Sequence, residues 1–173
     1  MASFARGRVL DVGFAQQPNP YLQGDVYGFD HQEVPVPPGY KDLIVSEAVE
    51  LVHLDERFDT IMAGQIIEHL DDPIQFLAAC YHILNPGGRL VLSTPNPYYP
   101  PVVWLERLMI RRFFYNEEHV FIFPPRFLVR LMERQGFRNV KTYSGGIVLP
   151  IFNLCMPAPR AFCYTIIYVG QKT

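Results

Sequence analysis

The sequence predicts an α/β fold: one open, mostly parallel sheet of seven strands with helices on both faces. Three observations lead there. Short apolar runs at residues 8–12, 26–30, 58–63 and 89–94 barely alternate, as strands buried on both faces do. Amphipathic helical patterns cover 73–84, 102–112 and 125–135. The 16 prolines gather at 18–20, 35–38, 95–101, 124–125 and 157–159, where they mark loops between elements.

In chain order, the first two strands, 8–12 and 26–30, each end near an acid, Asp11 and Asp30. A third strand at 42–47 has the polar tip Ser46-Glu47. The fourth, 58–63, leads to Glu68-His69 and then to the clearest helix. Asp72 caps that helix, Pro73 suits its first position, and Ile74, Leu77, Ala78, Tyr81 and Leu84 form its apolar stripe. Asn85-Pro86-Gly87-Gly88 stops it before the fifth strand, 89–94. A helix at 102–112 carries Trp104, Leu105, Leu108 and Met109 on one side, with Arg107, Arg111 and Arg112 elsewhere. A helix at 125–135 carries Phe127, Leu128, Leu131 and Met132 on its face and stops at Gly136. Strands at 137–143 and 161–169 complete the count. The alternation of strands and helices implies right-handed crossovers. No repeat or linker divides the chain, so residues 1–173 are expected to form one domain.

The bulk numbers bound the function. Hydrophobic residues are 49%, charged residues 18% and the net charge is −2, a globular composition that gives no support to a nucleic-acid partner. Cys80, Cys155 and Cys163 show no CxxC or zinc spacing. The N-terminus lacks a signal-peptide pattern, and no run reaches the ~18–20 apolar residues of a membrane span. A cytoplasmic protein without a membrane partner is the expectation.

In open α/β sheets ligands bind outside the carboxyl ends of the strands. Asp11 and Gly13 sit at the end of the first strand, and the glycine permits close approach of a ligand to the backbone. Asp30 follows 19 residues later at the end of the second strand, placed to accept from both hydroxyls of a ribose. Glu47 ends the third strand and suits an exocyclic adenine amine. Each feature alone is also compatible with a plain turn or a solvated acid. The pair Asp11 and Asp30 is more specific than either.

The most specific block is Phe58-Asp59-Thr60-Ile61, then Glu68-His69-Leu70, then Leu84-Asn85-Pro86-Gly87-Gly88-Arg89-Leu90-Val91-Leu92-Ser93-Thr94-Pro95-Asn96. It resembles the class I S-adenosylmethionine-dependent methyltransferases of the ubiquinone-biosynthesis type, over roughly residues 8 to 143. The resemblance implies a Rossmann-like sheet whose last strand is antiparallel, with S-adenosyl-L-methionine at the ends of the first four strands. It implies that Asp11 and Gly13 face the methionine part, Asp30 takes the ribose, and Glu47 and the Ala48 amide meet the adenine. Ala63, Gly64 and Gln65 would follow the fourth strand and line the cleft. The loop departs from the family's Asp-x-Gly-x-Gly-x-Gly: it reads Asp11-Val12-Gly13-Phe14-Ala15-Gln16-Gln17-Pro18-Asn19-Pro20. Two glycines are replaced, and Pro18 and Pro20 oppose a regular helix. Phe14 and Ala15 are expected to leave room for a cofactor without a phosphate.

Methyl transfer needs alignment and water exclusion, and a base only if the acceptor loses a proton. Glu68, His69 and His119 are the candidates for catalysis. They are also the only candidate ligands for a divalent metal, which is not expected because Gln65 stands where related Glu-x-x-Glu-His sites have the first carboxylate. The alternative is that Glu68 and His69 cap and pack the following helix. Residues 97–125, rich in proline and aromatics, read as an inserted acceptor lid in which Tyr98, Tyr99, Trp104 and Phe114 shape a pocket. Core packing or a homodimer face is the competing reading. Arg107, Arg111 and Arg112 read as a solvated helix face, with an anionic acceptor as the alternative. The implied function is O-methylation of a small molecule or sugar-type acceptor. The competing function is a methyltransferase-like protein that binds a ligand or partner without catalysis.

Overall fold

A computed structural model describes residues 1–15, 17–107, 120–149 and 154–173. Its main sheet has seven strands: β1 (Val9–Val12), β2 (Val26–Asp30), β3 (Asp42–Val45), β4 (Phe58–Gly64), β5 (Leu84–Pro95), β6 (Arg138–Ser144) and the C-terminal β9 (Thr165–Gln171). Their order is β3-β2-β1-β4-β5-β9-β6. β1 to β5 pair in parallel, and β9 runs antiparallel between β5 and β6. The mostly parallel seven-stranded sheet with an antiparallel last strand is therefore observed. A separate hairpin, β7 (Ile147–Leu149) with β8 (Leu154–Met156), was not expected; each strand is three residues long, too short for a periodicity signal.

Alternate residues of each strand feed two apolar layers. Leu10, Val12, Ile61, Leu90, Leu92 and Tyr168 pack with helices α1 (Pro73–Ile83) and α3 (Pro125–Arg134). A third helix, α2, spans Pro100–Arg107. Asp72 caps α1 as expected, accepting from the Ile74 and Gln75 amides at 3.0 and 2.9 Å. On the opposite face Val9, Val26, Met62, Val91 and Val169 meet Phe14, Leu22 and Tyr40, with Met1 and Phe4 packed against them. The covering on this side is irregular chain and the short 3-10 turn Ala2–Phe4. Pro18, Pro20, Pro35, Pro37 and Pro38 explain the absence of regular helix there, since each removes an amide donor and clashes with the preceding turn.

The last strand starts at Thr165, four residues later than the apolar run suggests, and runs on to Gln171. Residues Arg160–Phe162 form a 3-10 turn instead. The Asn96 side-chain amide donates to the carbonyls of Cys163 (2.9 Å) and Arg160 (3.2 Å), so these acceptors serve the buried Asn96 and not a ladder.

β2 needs its glycine. A Cβ on Gly28 would come within 2.5 Å of Phe14 Cε1 and 2.7 Å of Leu43 Cδ2. Gly28→Ala is expected to cost about 1–3 kcal/mol through overpacking. A lowered urea midpoint with unchanged slope checks it, and an unchanged midpoint would mean that Phe14 swings away freely.

Candidate cofactor site

Strand register sets the site's geometry. Val12 pairs with Phe29 on one side and Ala63 on the other, and Ala63 pairs with Leu92. One residue further, Gly13, Asp30, Gly64 and Ser93 share the carboxyl-end row. Asp30 pairs with Val45, and the Ser46 amide donates to the Asp30 carbonyl at 2.9 Å, so Glu47 lies just past the same row.

Asp30 is buried and engaged. Its Oδ2 accepts from the Ala15 amide and its Oδ1 from the Gln32 amide, both at 3.0 Å, and His31 Nδ1 lies 3.1 Å from Oδ1. A carboxylate offers about four acceptor positions, so Oδ2 keeps capacity for a hydroxyl donor. Glu47 is exposed and stands at the N-terminal end of the 3-10 turn Ala48–His53 without a side-chain cap bond.

The methionine end differs from expectation. Gly13 adopts φ +74°, the left-handed region that favours glycine, and its amide donates to the Phe29 carbonyl. Asp11 does not face an open loop. It is buried, and its Oδ2 accepts from the Tyr40 hydroxyl at 2.5 Å. Burial raises its carboxyl to about 6, partly offset by that hydrogen bond. Tyr40 Oη also accepts from the Asn19 amide at 3.1 Å. Phe14 is buried against Gly28 and Tyr40, with ring centroids 5.4 Å apart for the aromatic pair. The loop that lost its glycines and helix is thus tied at Ala15 by Asp30 and at Asn19 by Tyr40. No sequence signal marked Tyr40, because its partner Asp11 is 29 residues away.

Tyr40→Phe removes the donor while the Asp11 carboxylate stays buried. The expected cost is about 1–3 kcal/mol, the penalty for an unsatisfied buried group. Chemical denaturation at pH 8 measures it. A variant as stable as wild type would show that the link does not hold the loop.

At β4, Ala63 is fully buried and Gly64 is the last strand residue, so both belong to the strand and do not follow it. A Cβ placed on Gly64 would find no atom nearer than Met1 Sδ and Ser93 Oγ, both at 3.9 Å, which leaves the backbone approachable. Gln65 is held at φ +54°. Its amide donates to the Ser93 carbonyl (3.0 Å) and its Nε2 to Ser93 Oγ (3.2 Å), so the strained residue is fixed from both ends.

Glu68 is turned inward. It is 1% exposed in the 3-10 turn Ile67–His69, and neither carboxylate oxygen has a hydrogen-bond partner at good geometry among the described residues. Burial lifts its carboxyl to about 7, tempered by its own backbone, His69 and Thr94. The side chain is sealed from solvent, the arrangement that the packing alternative for Glu68 describes. His69 is half-buried beside it. Among the described residues no group of three His, Cys, Asp or Glu side chains could hold a metal ion. His119, Phe114, Arg111 and Arg112 lie outside the described residues.

The comparisons with known proteins bear on this geometry. A family model described as a methyltransferase domain matches residues 2–142. A ubiquinone biosynthesis O-methyltransferase from Cereibacter sphaeroides is 33% identical over 102 residues, covering 51% of this chain and 41% of that protein. The chain therefore spans about two fifths of that relative's length. A SAM-dependent methyltransferase structure from Archaeoglobus fulgidus superposes with a TM-score of 0.66 at 20% identity, covering 95% of this chain and 86% of that one. The N-methyltransferase NodS from Bradyrhizobium japonicum, solved with S-adenosyl-L-homocysteine, gives 0.58 at 12% identity, with 99% and 80% covered. Both structures are similar in fold. The 3-2-1-4-5 parallel order ending in an antiparallel strand is that of an open α/β sheet, and the family match makes it specific: the chain belongs to the class I S-adenosylmethionine-dependent methyltransferases.

Proposed function

We propose that this domain transfers the methyl group of S-adenosyl-L-methionine to an oxygen of a small-molecule or sugar-type acceptor. The observation that carries the reading is the level row Gly13, Asp30 and Gly64, with Glu47 just beyond it, at the carboxyl ends of adjacent parallel strands. These residues fit the nucleoside half of the cofactor. Asp30 retains acceptor capacity for ribose, Glu47 is free to meet an adenine amine beside the Ala48 amide, and the Gly64 backbone is approachable. Gln65, fixed by Ser93, would line the same cleft. Toward the methionine half the fit is through the Gly13 backbone, since Asp11 is held by Tyr40.

When bound, the cofactor supplies a methyl already activated on a sulfonium. The chain's task is then to align the acceptor in line with it and exclude water. His69 is the proposed proton acceptor, with His119 as its alternative. The oxygen preference rests on the O-methyltransferase likeness. Incubation with methyl-labelled S-adenosyl-L-methionine and a panel of phenols, catechols and sugars should label an ether oxygen. Labelling confined to amine acceptors would overturn the oxygen assignment. The inward Phe14 and the Asp11–Tyr40 link favour a second reading, ligand binding without catalysis. Cofactor binding with no turnover on any acceptor would select it.

A further inference from the structure

A carboxylate at the start of a helix is held by free backbone amides. The loop after β1 has no helix, and its amides are engaged within the chain. Gly13 donates to the Phe29 carbonyl at 2.9 Å, Ala15 to Asp30 Oδ2 at 3.0 Å and Gln17 to the Phe14 carbonyl at 3.0 Å. The Asp11 carboxylate, the nearest acceptor for an ammonium, is buried and bonded to the Tyr40 hydroxyl. An amino-acid group brought to this end of the site therefore finds its natural partners already taken.

The charges agree with this. Residues 1–96 hold five Lys or Arg, and all lie toward the amino-terminal side of the parallel strands. Arg6 and Arg8 precede β1, Lys41 precedes β3, Arg57 precedes β4, and Arg89 is in register with Thr60 near the start of β4. Asp30, Glu33 and Glu47 stand at the opposite side. A carboxylate there meets like charge and no base from this part of the chain, and burying an unpaired charge is costly.

Between Asp30 and Gly64 the surface is apolar instead. β1 lies between β2 and β4, so Gly13 sits between those two residues. A Cβ on Gly13 would come within 3.0 Å of Ile66 Cδ1 and 3.5 Å of its Cβ, so the Ile66 side chain already covers this backbone. Ile66 is half-buried, which leaves part of it within reach of a ligand. Its place is fixed by the preceding Gln65, whose backbone and side-chain amides both donate to Ser93. Met1 Sδ lies on the Gly64 side. A branched aliphatic chain and a polarisable thioether suit an alkyl–sulfur group.

We propose that the site reads the nucleoside and the 5′-sulfur of its ligand but not the amino-acid carboxylate, that it takes 5′-alkylthioadenosines as readily as S-adenosyl-L-homocysteine, and that Ile66 is the residue that sets this preference. The inference rests on the nucleoside site proposed above and adds which part of the ligand carries the affinity.

Calorimetric titration of the full chain with adenosine, 5′-methylthioadenosine and S-adenosyl-L-homocysteine tests it. The two thioethers should bind within about threefold of each other, and both roughly tenfold tighter than adenosine, the scale of burying one methylthio group. Ile66→Ala should weaken 5′-methylthioadenosine roughly tenfold and leave adenosine as before, while Ile66→Val should keep most of the affinity. S-adenosyl-L-homocysteine binding more than about tenfold tighter than 5′-methylthioadenosine would mean that the amino-acid end is read, and would overturn the proposal while leaving the nucleoside site intact. Equal losses for adenosine and 5′-methylthioadenosine in Ile66→Ala would overturn the part given to Ile66. Binding of none of the three would overturn the nucleoside site itself, and this inference with it.

Discussion

Asp30→Ala should lower the affinity for S-adenosyl-L-homocysteine at least tenfold, about 1.5 kcal/mol or more, the scale of hydrogen bonds to a charged acceptor. The effect has two sources. The first is loss of the proposed ribose contact at Oδ2. The second is release of the Ala15 and Gln32 amides, which Asp30 now accepts at 3.0 Å each. Because the Ala15 amide anchors the loop that replaces the family's glycine-rich helix start and the Gln32 amide the turn after β2, the variant should also lose about 1–3 kcal/mol of stability. Asp30→Asn separates the sources, since its single carbonyl keeps one amide bond while the negative charge is gone. Calorimetric titration of both variants, beside exposed Glu33→Ala as a control, provides the measurement. Wild-type affinity in Asp30→Ala would remove Asp30 from the site.

Glu68→Gln should stabilise the protein at alkaline pH and do little at acid pH. The folded carboxyl titrates near 7 against an ordinary 4.5, chiefly because it is buried. The folded chain therefore holds a proton that the unfolded chain releases earlier. Stability falls as pH rises from 4.5 to 7 and levels off above, by about 3 kcal/mol in full for such a shift. Asp11, raised to about 6, adds a loss of the same sign below pH 6. A neutral amide at position 68 removes the larger share, so urea unfolding of Glu68→Gln should show up to about 2 kcal/mol of gain at pH 8. Equal destabilisation at pH 5 and pH 8 would mean that the carboxylate has an ionised partner and a different role.

The sequence made the sheet legible because its strands are apolar on both faces and its stops are unambiguous. β1, β2, β4 and α1 fall within a residue or two of the expected bounds. The late strand was misplaced because Ala161 to Tyr164 are as apolar as a strand, and long-range bonds from Asn96 and to Gly146 hold them instead. At the site, the positions of Asp30 and Glu47 follow from strand ends and were readable. The roles of Asp11 and Phe14 were not. Their orientation is set by Tyr40 and by the space at Gly28, long-range contacts with no local signature. Glu68 was read as a site residue because it follows a strand end, and its burial in the turn Ile67–His69 had no local signature.

The most direct test of the account is a crystal structure of the protein with S-adenosyl-L-homocysteine. The ribose hydroxyls should lie on Asp30, the adenine beside Glu47 and the Ala48 amide, and the thioether sulfur near Gly64, with Tyr40 still bonded to Asp11. A ligand bound away from the carboxyl ends of β1, β2 and β4, or no binding at saturating concentration, would contradict it.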